Sequence, residues 1–398
     1  MWHGNSFPFM SLSFDNTEVA FQPRSNADLN RSYLLFSLIS NPSWVKAGKW
    51  LTETSLSLHL PIKGMIKKTI YKQFVGGEDI RDCKATIEQL GQFGVGTILD
   101  YSVEGKESEE DFERTTRETM ATIDRAAGDK NIPFSVFKVT GVAPVSILEA
   151  QSAGEKLGAS AAAGWLKVQE CVERICAHAA AKGVPVFIDA EESWIQEAID
   201  QLAISMMQKY NRERCVVYNT YQLYRHDRLA YLGKNIEQAR REKFFFGAKL
   251  VRGAYMEKER ERAQKMRYPS PINPDKESTD RMFDQALALC LEHLDIVSFC
   301  AGTHNEKSSL LLAESMNKKN IPSGDQRIYF SQLLGMSDHI SFNLASAGYN
   351  VAKYVPYGPV KDVMPYLFRR AQENTSVKGQ TGRELNLIIK ERKRRKQS

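Results

Sequence analysis

The chain has 398 residues, 42% apolar and 26% charged, enough for a sizeable core and suited to one large domain with an appendage. Its formal charge of +6 sits at one end: the run "KERKRRK" at 390–396 carries a net +5, so the body is near neutral and offers no broad face for nucleic acid. The six cysteines, Cys83, Cys171, Cys176, Cys215, Cys290 and Cys300, show no CxxC pair and no His/Cys ligand spacing, which speaks for reduced thiols rather than a zinc module or a disulfide framework.

The opening "MWHGNSFPFMSLSFDN" lacks a basic segment ahead of an apolar run, and no window approaches the roughly 20 apolar residues of a membrane span. A cytoplasmic protein is the expectation. Residues 26–75 carry helical periodicity, for example Leu34, Leu35, Leu38 and Ile39, interrupted at Asn41, Pro42 and Pro61. They predict a helical arm within residues 1–85.

From about residue 94 the pattern changes to short β-rich runs, each followed by a longer charged helical stretch. The runs fall at 94–102, 133–141, 183–192, 215–222, 244–255, 296–305, 327–335 and 349–358. Eight such units, too apolar to leave one face in water, predict a closed parallel sheet: an α/β fold, a (β/α)8 TIM barrel over residues 86–378, with a basic tail at 379–398. An open doubly wound sheet would place a Gly-rich phosphate loop after its first strand. "GQFGVG" has the wrong spacing and precedes a strand.

In a barrel of this kind the site forms where strands end and the following loops begin. Asp100, Lys138, Asp189, Asn219, Arg252, Tyr255, Thr303, His304 and Tyr354 all fall there, although polar residues also cap strand ends for purely structural reasons. Lys138, flanked by apolar neighbours in "VFKVT", points into the barrel or toward the helices, and in either case needs an anionic partner. Asp189 is either that kind of charge balance or part of the site. His304 serves as base, ligand or cap, with metal the weakest reading because no second ligand stands at a suitable spacing. Arg252 precedes Gly253 and Ala254, which let a phosphate or carboxylate approach; the plain alternative is a solvated loop arginine.

The last helical pattern is two-faced. Tyr366, Arg369, Arg370, Glu373 and Asn374 form one stripe, and Val363, Leu367, Phe368 and Ala371 the other. The polar stripe is either a solvated face or, after the eighth strand, a pair of guanidiniums aimed across the barrel mouth at a carboxylate.

Taken together, "FKVT", "FIDAEE", "YNTYQ", "KLVRGAY", "GTHN" and "YVPYG…YLFRRAQEN" resemble the proline dehydrogenase family, flavoenzymes that oxidise L-proline to Δ1-pyrroline-5-carboxylate, over about residues 94–378. The resemblance implies a distorted (β/α)8 barrel with FAD across the strand ends and the last helix above it. It implies that Lys138, Arg369 and Arg370 bind the proline carboxylate, and that Asp189, Tyr255, Leu333, Tyr354 and Tyr366 wall the ring. Ala190, Asn219, Lys249, Arg252, Gly253, Ala254, Thr303, His304 and Glu373 would hold FAD, with Asp189 and Lys249 as the catalytic pair. Hydride passes from proline C5 to flavin N5, so such an enzyme needs orientation and a dry pocket rather than a metal.

The same resemblance implies a membrane quinone as electron acceptor and channelling of the product to a pyrroline-5-carboxylate dehydrogenase. The tail, with Leu385, Ile388 and Ile389 ahead of its basic run, would then suit the inner membrane surface, or else be a disordered solubilising segment. Bacterial two-domain members carry Arg in place of Lys249 and Gln in place of Asn219. Relatives preferring hydroxyproline have a smaller residue at Tyr354, so its phenol argues for proline. Apart from the resemblance, two lysines in barrel strands leave a Schiff-base aldolase or lyase as the alternative.

Overall fold

Strands β1 (Val95–Tyr101), β2 (Phe134–Lys138), β3 (Val186–Asp189), β4 (Val217–Gln222), β5 (Phe246–Val251), β6 (Val297–Gly302), β7 (Ile328–Leu333) and β8 (Val351–Tyr357) pair in parallel and in chain order, and β8 returns to β1. This is a computed structural model that describes residues 12–39, 63–102, 108–376 and 380–397. Each strand lies inside one of the eight expected runs, and the (β/α)8 barrel is closed.

The intervening helices begin and end on local signals. Ser108 caps Glu109–Ala126, Asp275 caps Lys276–Glu292, and Asn305 caps Glu306–Lys318, each side chain accepting a backbone N–H of the first turn. Gly183, at φ +69°, closes Ala159–Lys182 in the left-handed conformation that glycine takes without strain.

Alternation along the strands sorts their side chains into two cores. Ile98, Phe134, Val136, Phe187, Tyr218, Cys300 and Tyr354 fill the barrel, with Phe134 and Phe187 stacked at 4.3 Å. Their neighbours in sequence, such as Phe137, Ile188, Ala248 and Phe299, pack outward on the helices. A register of Lys138 beside Asp189 and Leu333 beside Tyr354 brings the polar strand ends to one rim.

A third core covers that rim and joins parts of the chain far apart in sequence. Helix Asn26–Ile39, the segment from Lys63 to Phe74, helix Met364–Ser376 and helix Gln380–Gln397 share Leu29, Phe36, Phe74, Tyr366, Leu367, Leu387 and Ile388. Phe36 and Phe74 meet edge to face at 6.4 Å, a contact worth about 0.5–1.5 kcal/mol beyond area burial.

Two expectations change here. In the arm, Leu34 and Leu38 are 62% and 53% exposed; the packed face is Leu29, Ser32, Phe36 and Ile39, because the C-terminal helix and Phe74 lie on that side. Asn41, Pro42 and Pro61 lie outside the described residues. The basic tail is a docked helix: Leu385 and Ile388 pack into the third core, Arg395 and Arg394 pair with Glu391, and Arg392 lies 4.1 Å from the Tyr33 ring centroid. Its apolar side chains serve the protein's own interior, which leaves Lys393 and Lys396 among its exposed cations. No described helix is long and apolar enough to cross a membrane.

Candidate active site

The floor of the site is a buried triad contributed by three strands. Lys249 on β5 donates to Asp189 Oδ1 at 2.5 Å and to the Tyr354 hydroxyl, and that hydroxyl donates to Asp189 Oδ1 at 3.3 Å. Thr220 on β4 reaches the same carboxylate at 3.5 Å. The Lys249 ammonium also lies 4.2 Å from the Tyr354 ring centroid and 5.6 Å from that of Phe187. Burial, and then the Asp189 charge, push the Tyr354 phenol well above its ordinary 10, so it is a neutral hydrogen-bonding group.

Lys138 points into the barrel, with Nζ 4.0 Å from Asp100 Oδ2, which Ser102 also holds at 2.8 Å. This supplies the anionic partner that its position requires. Beside it opens a cavity of about 220 Å³ lined by Thr140, Glu191, Tyr255 and Arg369.

Helix Met364–Ser376 keeps Tyr366 and Arg370 of its polar stripe out of water. Tyr366 is 5% and Arg370 8% exposed, with the guanidinium 5.2 Å from the Tyr366 ring centroid. Val363 and Leu367, on the other stripe, are buried in the third core, so both faces of this helix pack. Leu333 bridges the barrel core and the covering core from the end of β7. The side chains of Glu373 and Asn374 lie outside the described residues.

On the β5–β6 side, Arg252 is anchored by Asp280 at 2.6 Å, Thr303 Oγ1 at 2.7 Å and Ser308 Oγ at 2.9 Å, and rests over the Phe283 ring. Three of its five N–H groups are engaged, which corrects the reading of a solvated loop arginine. Gly253 has φ +134°, and a Cβ there would stand 2.6 Å from the Tyr224 ring. Ala254 next to it is exposed, and Ala190 is buried behind Asp189.

His304 shares a hydrogen bond between Nδ1 and Ser337 Oγ at 2.9 Å, and Nε2 accepts from Leu333 N at 3.5 Å. Burial, with Lys353 and Arg370 nearby, lowers its pKa to about 3, so the ring is neutral and acts as a bridge between loops. Among the described residues no group of three His, Cys, Asp or Glu could hold a metal.

Asn219 does not join this assembly. It is fully buried on the outer face of β4, where Nδ2 donates to Asp200 Oδ1 at 2.8 Å, beside the Arg228–Asp200 ion pair. Tyr218, Thr220 and Gln222 share the inner face instead, and Gln222 reaches the rim, donating to the Glu191 carbonyl at 2.6 Å. Counting the pleat by twos from the apolar Tyr218 would have selected Thr220 and Gln222 from the sequence. Glu191 was missed for another reason: in "DAEE" nothing separates the buried Glu191 from the partly exposed Glu192 beside it.

Residues 83–383 match the family model described as proline dehydrogenase. The chain is 32% identical to the carbapenem antibiotics biosynthesis protein CarD of Pectobacterium carotovorum subsp. carotovorum over 333 residues, covering 84% of this chain and 86% of that protein. Against proline dehydrogenase 1, mitochondrial, of Drosophila melanogaster, identity is 42% over 222 residues, covering 53% of this chain and 33% of the fly protein. Hydroxyproline dehydrogenase of Xenopus laevis is 32% identical, with 97% of this chain and 90% of that protein covered. The match thus spans a third of the fly protein and most of the other two. Among solved structures, proline utilization A (PutA) from Bdellovibrio bacteriovorus superposes with a TM-score of 0.71 at 19% identity, covering 90% of this chain and 38% of that one; the two share the fold. The chain belongs to the proline dehydrogenase family, a family of oxidoreductases.

Proposed function

We propose that the chain oxidises L-proline to Δ1-pyrroline-5-carboxylate with FAD as cofactor, and that the electrons go on to a quinone. One observation carries this reading: Lys138 and Arg369 line one cavity at the barrel mouth, and Arg370, next to Arg369 on the same helix, is buried against Tyr366. Two guanidiniums and an ammonium gathered at one rim form a cradle that suits a small carboxylate. Tyr255, Leu333, Tyr354 and Tyr366 would wall the apolar ring, while the Lys249–Asp189 pair fixes the floor on which it is oriented.

The donor set suits a flavin. Lys249 spends two of its three N–H groups within the triad and Arg252 three of its five, so both keep donors for ring or phosphate acceptors. Gly253 leaves the backbone open beside them, and Ala190, Ala254, Thr303, His304 and Glu373 would complete that side. Bound FAD would supply the acceptor for the hydride that leaves proline C5. The chain's own residues bind the carboxylate, exclude water and hold the ring at the angle transfer needs.

The product, a reactive cyclic imine, would pass to a pyrroline-5-carboxylate dehydrogenase. The fly relative is named as mitochondrial, which supports that compartment over a purely cytoplasmic one. A Schiff-base lyase draws little support, because Lys249 is ion-paired with Asp189 and Lys138 stands beside Asp100, whereas a nucleophilic lysine must be neutral. Purified protein should be yellow and bleach when L-proline is added without oxygen or quinone, more readily than with hydroxyproline. A preparation that takes up no FAD and leaves proline unchanged would sink the proposal, and a lysine adduct trapped by borohydride would favour the lyase.

A further inference from the structure

The hydrogen bonds around Glu191 form a belt across four consecutive loops of the rim. Its Oε1 accepts from Thr140 N at 3.0 Å and its Oε2 from Thr140 Oγ1 at 2.5 Å, two residues beyond Lys138. Its own N–H donates to Gln196 Oε1 at 2.8 Å. Its carbonyl accepts from Gln222 at the end of β4, and Gln222 Oε1 accepts from Ala254 N at 3.2 Å beyond β5. Glu191 is 4% exposed, yet lines the same cavity as Lys138 and Arg369. Burial pushes its carboxyl up to about 7, against the pull of Thr140 and Lys138.

We infer that Glu191 is a positioning residue for the anion cradle: through Thr140 it fixes the turn that presents Lys138, and its charge sets how firmly Lys138 and Arg369 hold a substrate carboxylate. The inference rests on the proline reading above and concerns the same site. When Glu191 is neutral, it adds no charge to the cradle that Arg369 and Lys138, beside Asp100, form. When it ionises, it adds a negative charge beside Lys138 and repels the incoming carboxylate.

The other charged and titratable groups facing it come from every element packed around the cavity. Lys138 and its partner Asp100 come from the first two strands, Arg114 from helix Glu109–Ala126, Tyr255 and Lys258 from the next loop and helix, and Arg369 from above. Glu192 is adjacent in sequence and paired with Lys258 at 2.9 Å. His304, on the far rim, is neutral throughout this range.

The test is the pH dependence of KM and kcat for proline, measured with the FAD-loaded protein between about pH 6 and 8.5. The wild-type KM should climb about three- to tenfold across a midpoint near 7, as expected for a charge several ångströms away in a partly screened site. Glu191→Gln should hold KM at its low-pH value throughout. Thr140→Val removes a donor to the ionised carboxyl and should move the midpoint upward, a shift that a purely structural role would not give. The inference is overturned if Glu191→Gln keeps the wild-type rise, or, should that variant fail to fold, if Thr140→Val leaves the midpoint in place. Loss of proline oxidation in the wild type at every pH would instead overturn the parent reading.

Discussion

Adjacent residues of β8, Lys353 and Tyr354, face opposite sides of one sheet and belong to two buried lysine–aspartate pairs of opposite character. Outside the barrel, Lys353 is fully buried and donates to Asp338 Oδ1 at 2.9 Å, Leu333 O at 3.4 Å and Met336 O, while Arg24 holds the other Asp338 oxygen at 3.0 Å. Inside, Lys249 donates to Asp189 and to the Tyr354 hydroxyl, and its third N–H has no protein partner among the described residues. A fully satisfied ammonium ties segments together. One with a donor in reserve is ready for a ligand.

Breaking the outer pair should have the largest effect. Lys353→Met leaves Asp338 buried with only Arg24 to balance it, and loss of one partner of a buried pair costs about 3–5 kcal/mol. Chemical denaturation should show that loss, with FAD and proline affinities of the surviving folded fraction unchanged. Lys249→Met also leaves a buried aspartate short of its cation, though Thr220 and the Tyr354 hydroxyl still donate to Asp189, so stability should fall by less while turnover falls far more. If the two variants behaved alike, the distinction between the pairs would collapse.

Protonation offers the next test, because two carboxyls are shifted in opposite directions. Arg24 and Lys353 outweigh burial and hold Asp338 down to about 2, so its contribution is present above its unfolded value near 3.8 and is lost as pH falls through about 2. Burial raises Glu191 from 4.5 to about 7, so stability present below 4.5 is lost as pH rises through 7, by about 3 kcal/mol in all. Denaturation midpoints of the wild type should therefore decline on the alkaline side between about pH 5 and 8, and Glu191→Gln should remove most of that decline.

The arginines separate by burial. Arg370→Met should raise the proline KM about 10- to 100-fold while FAD stays bound, the scale of a lost charge-assisted pair in a desolvated site. Arg369, half-buried at the cavity edge, should cost about tenfold or less. An unchanged KM for Arg370→Met would leave its burial without a functional account.

What the sequence made legible follows from periodicity. The eight runs and the two-faced last helix could be read because strands repeat by two and helices by three to four, whereas the direction of Lys138 stayed open, since a lone lysine in an apolar run fits either face. Lys353 could not: in "YNVAKYVPYG" nothing announces that helix Asp338–Ser346 and Arg24, more than 300 residues away, will bury it. Asn219 was chosen over Gln222 by motif rather than by pleat. The tail, expected at a membrane surface or as a disordered segment, instead docks as a helix, because an apolar face looks the same in sequence whether it meets lipid or another helix.

The finest test concerns one hydroxyl. Tyr354→Phe keeps the ring that stands 4.2 Å from the Lys249 ammonium and parallel to Phe187, so packing is retained. It removes the acceptor of one Lys249 hydrogen bond and the donor of a 3.3 Å bond to Asp189. A net loss of about 0.5–1.5 kcal/mol per hydrogen bond predicts a modest drop in stability. Lys249 then has two N–H groups in reserve instead of one, and with Asp189 still at 2.5 Å the pair persists with greater freedom. Proline kcat should fall about two- to tenfold through looser orientation, with KM nearly constant because the carboxylate cradle lies elsewhere. A rise in KM at constant kcat would mean that the hydroxyl binds substrate rather than holding the lysine.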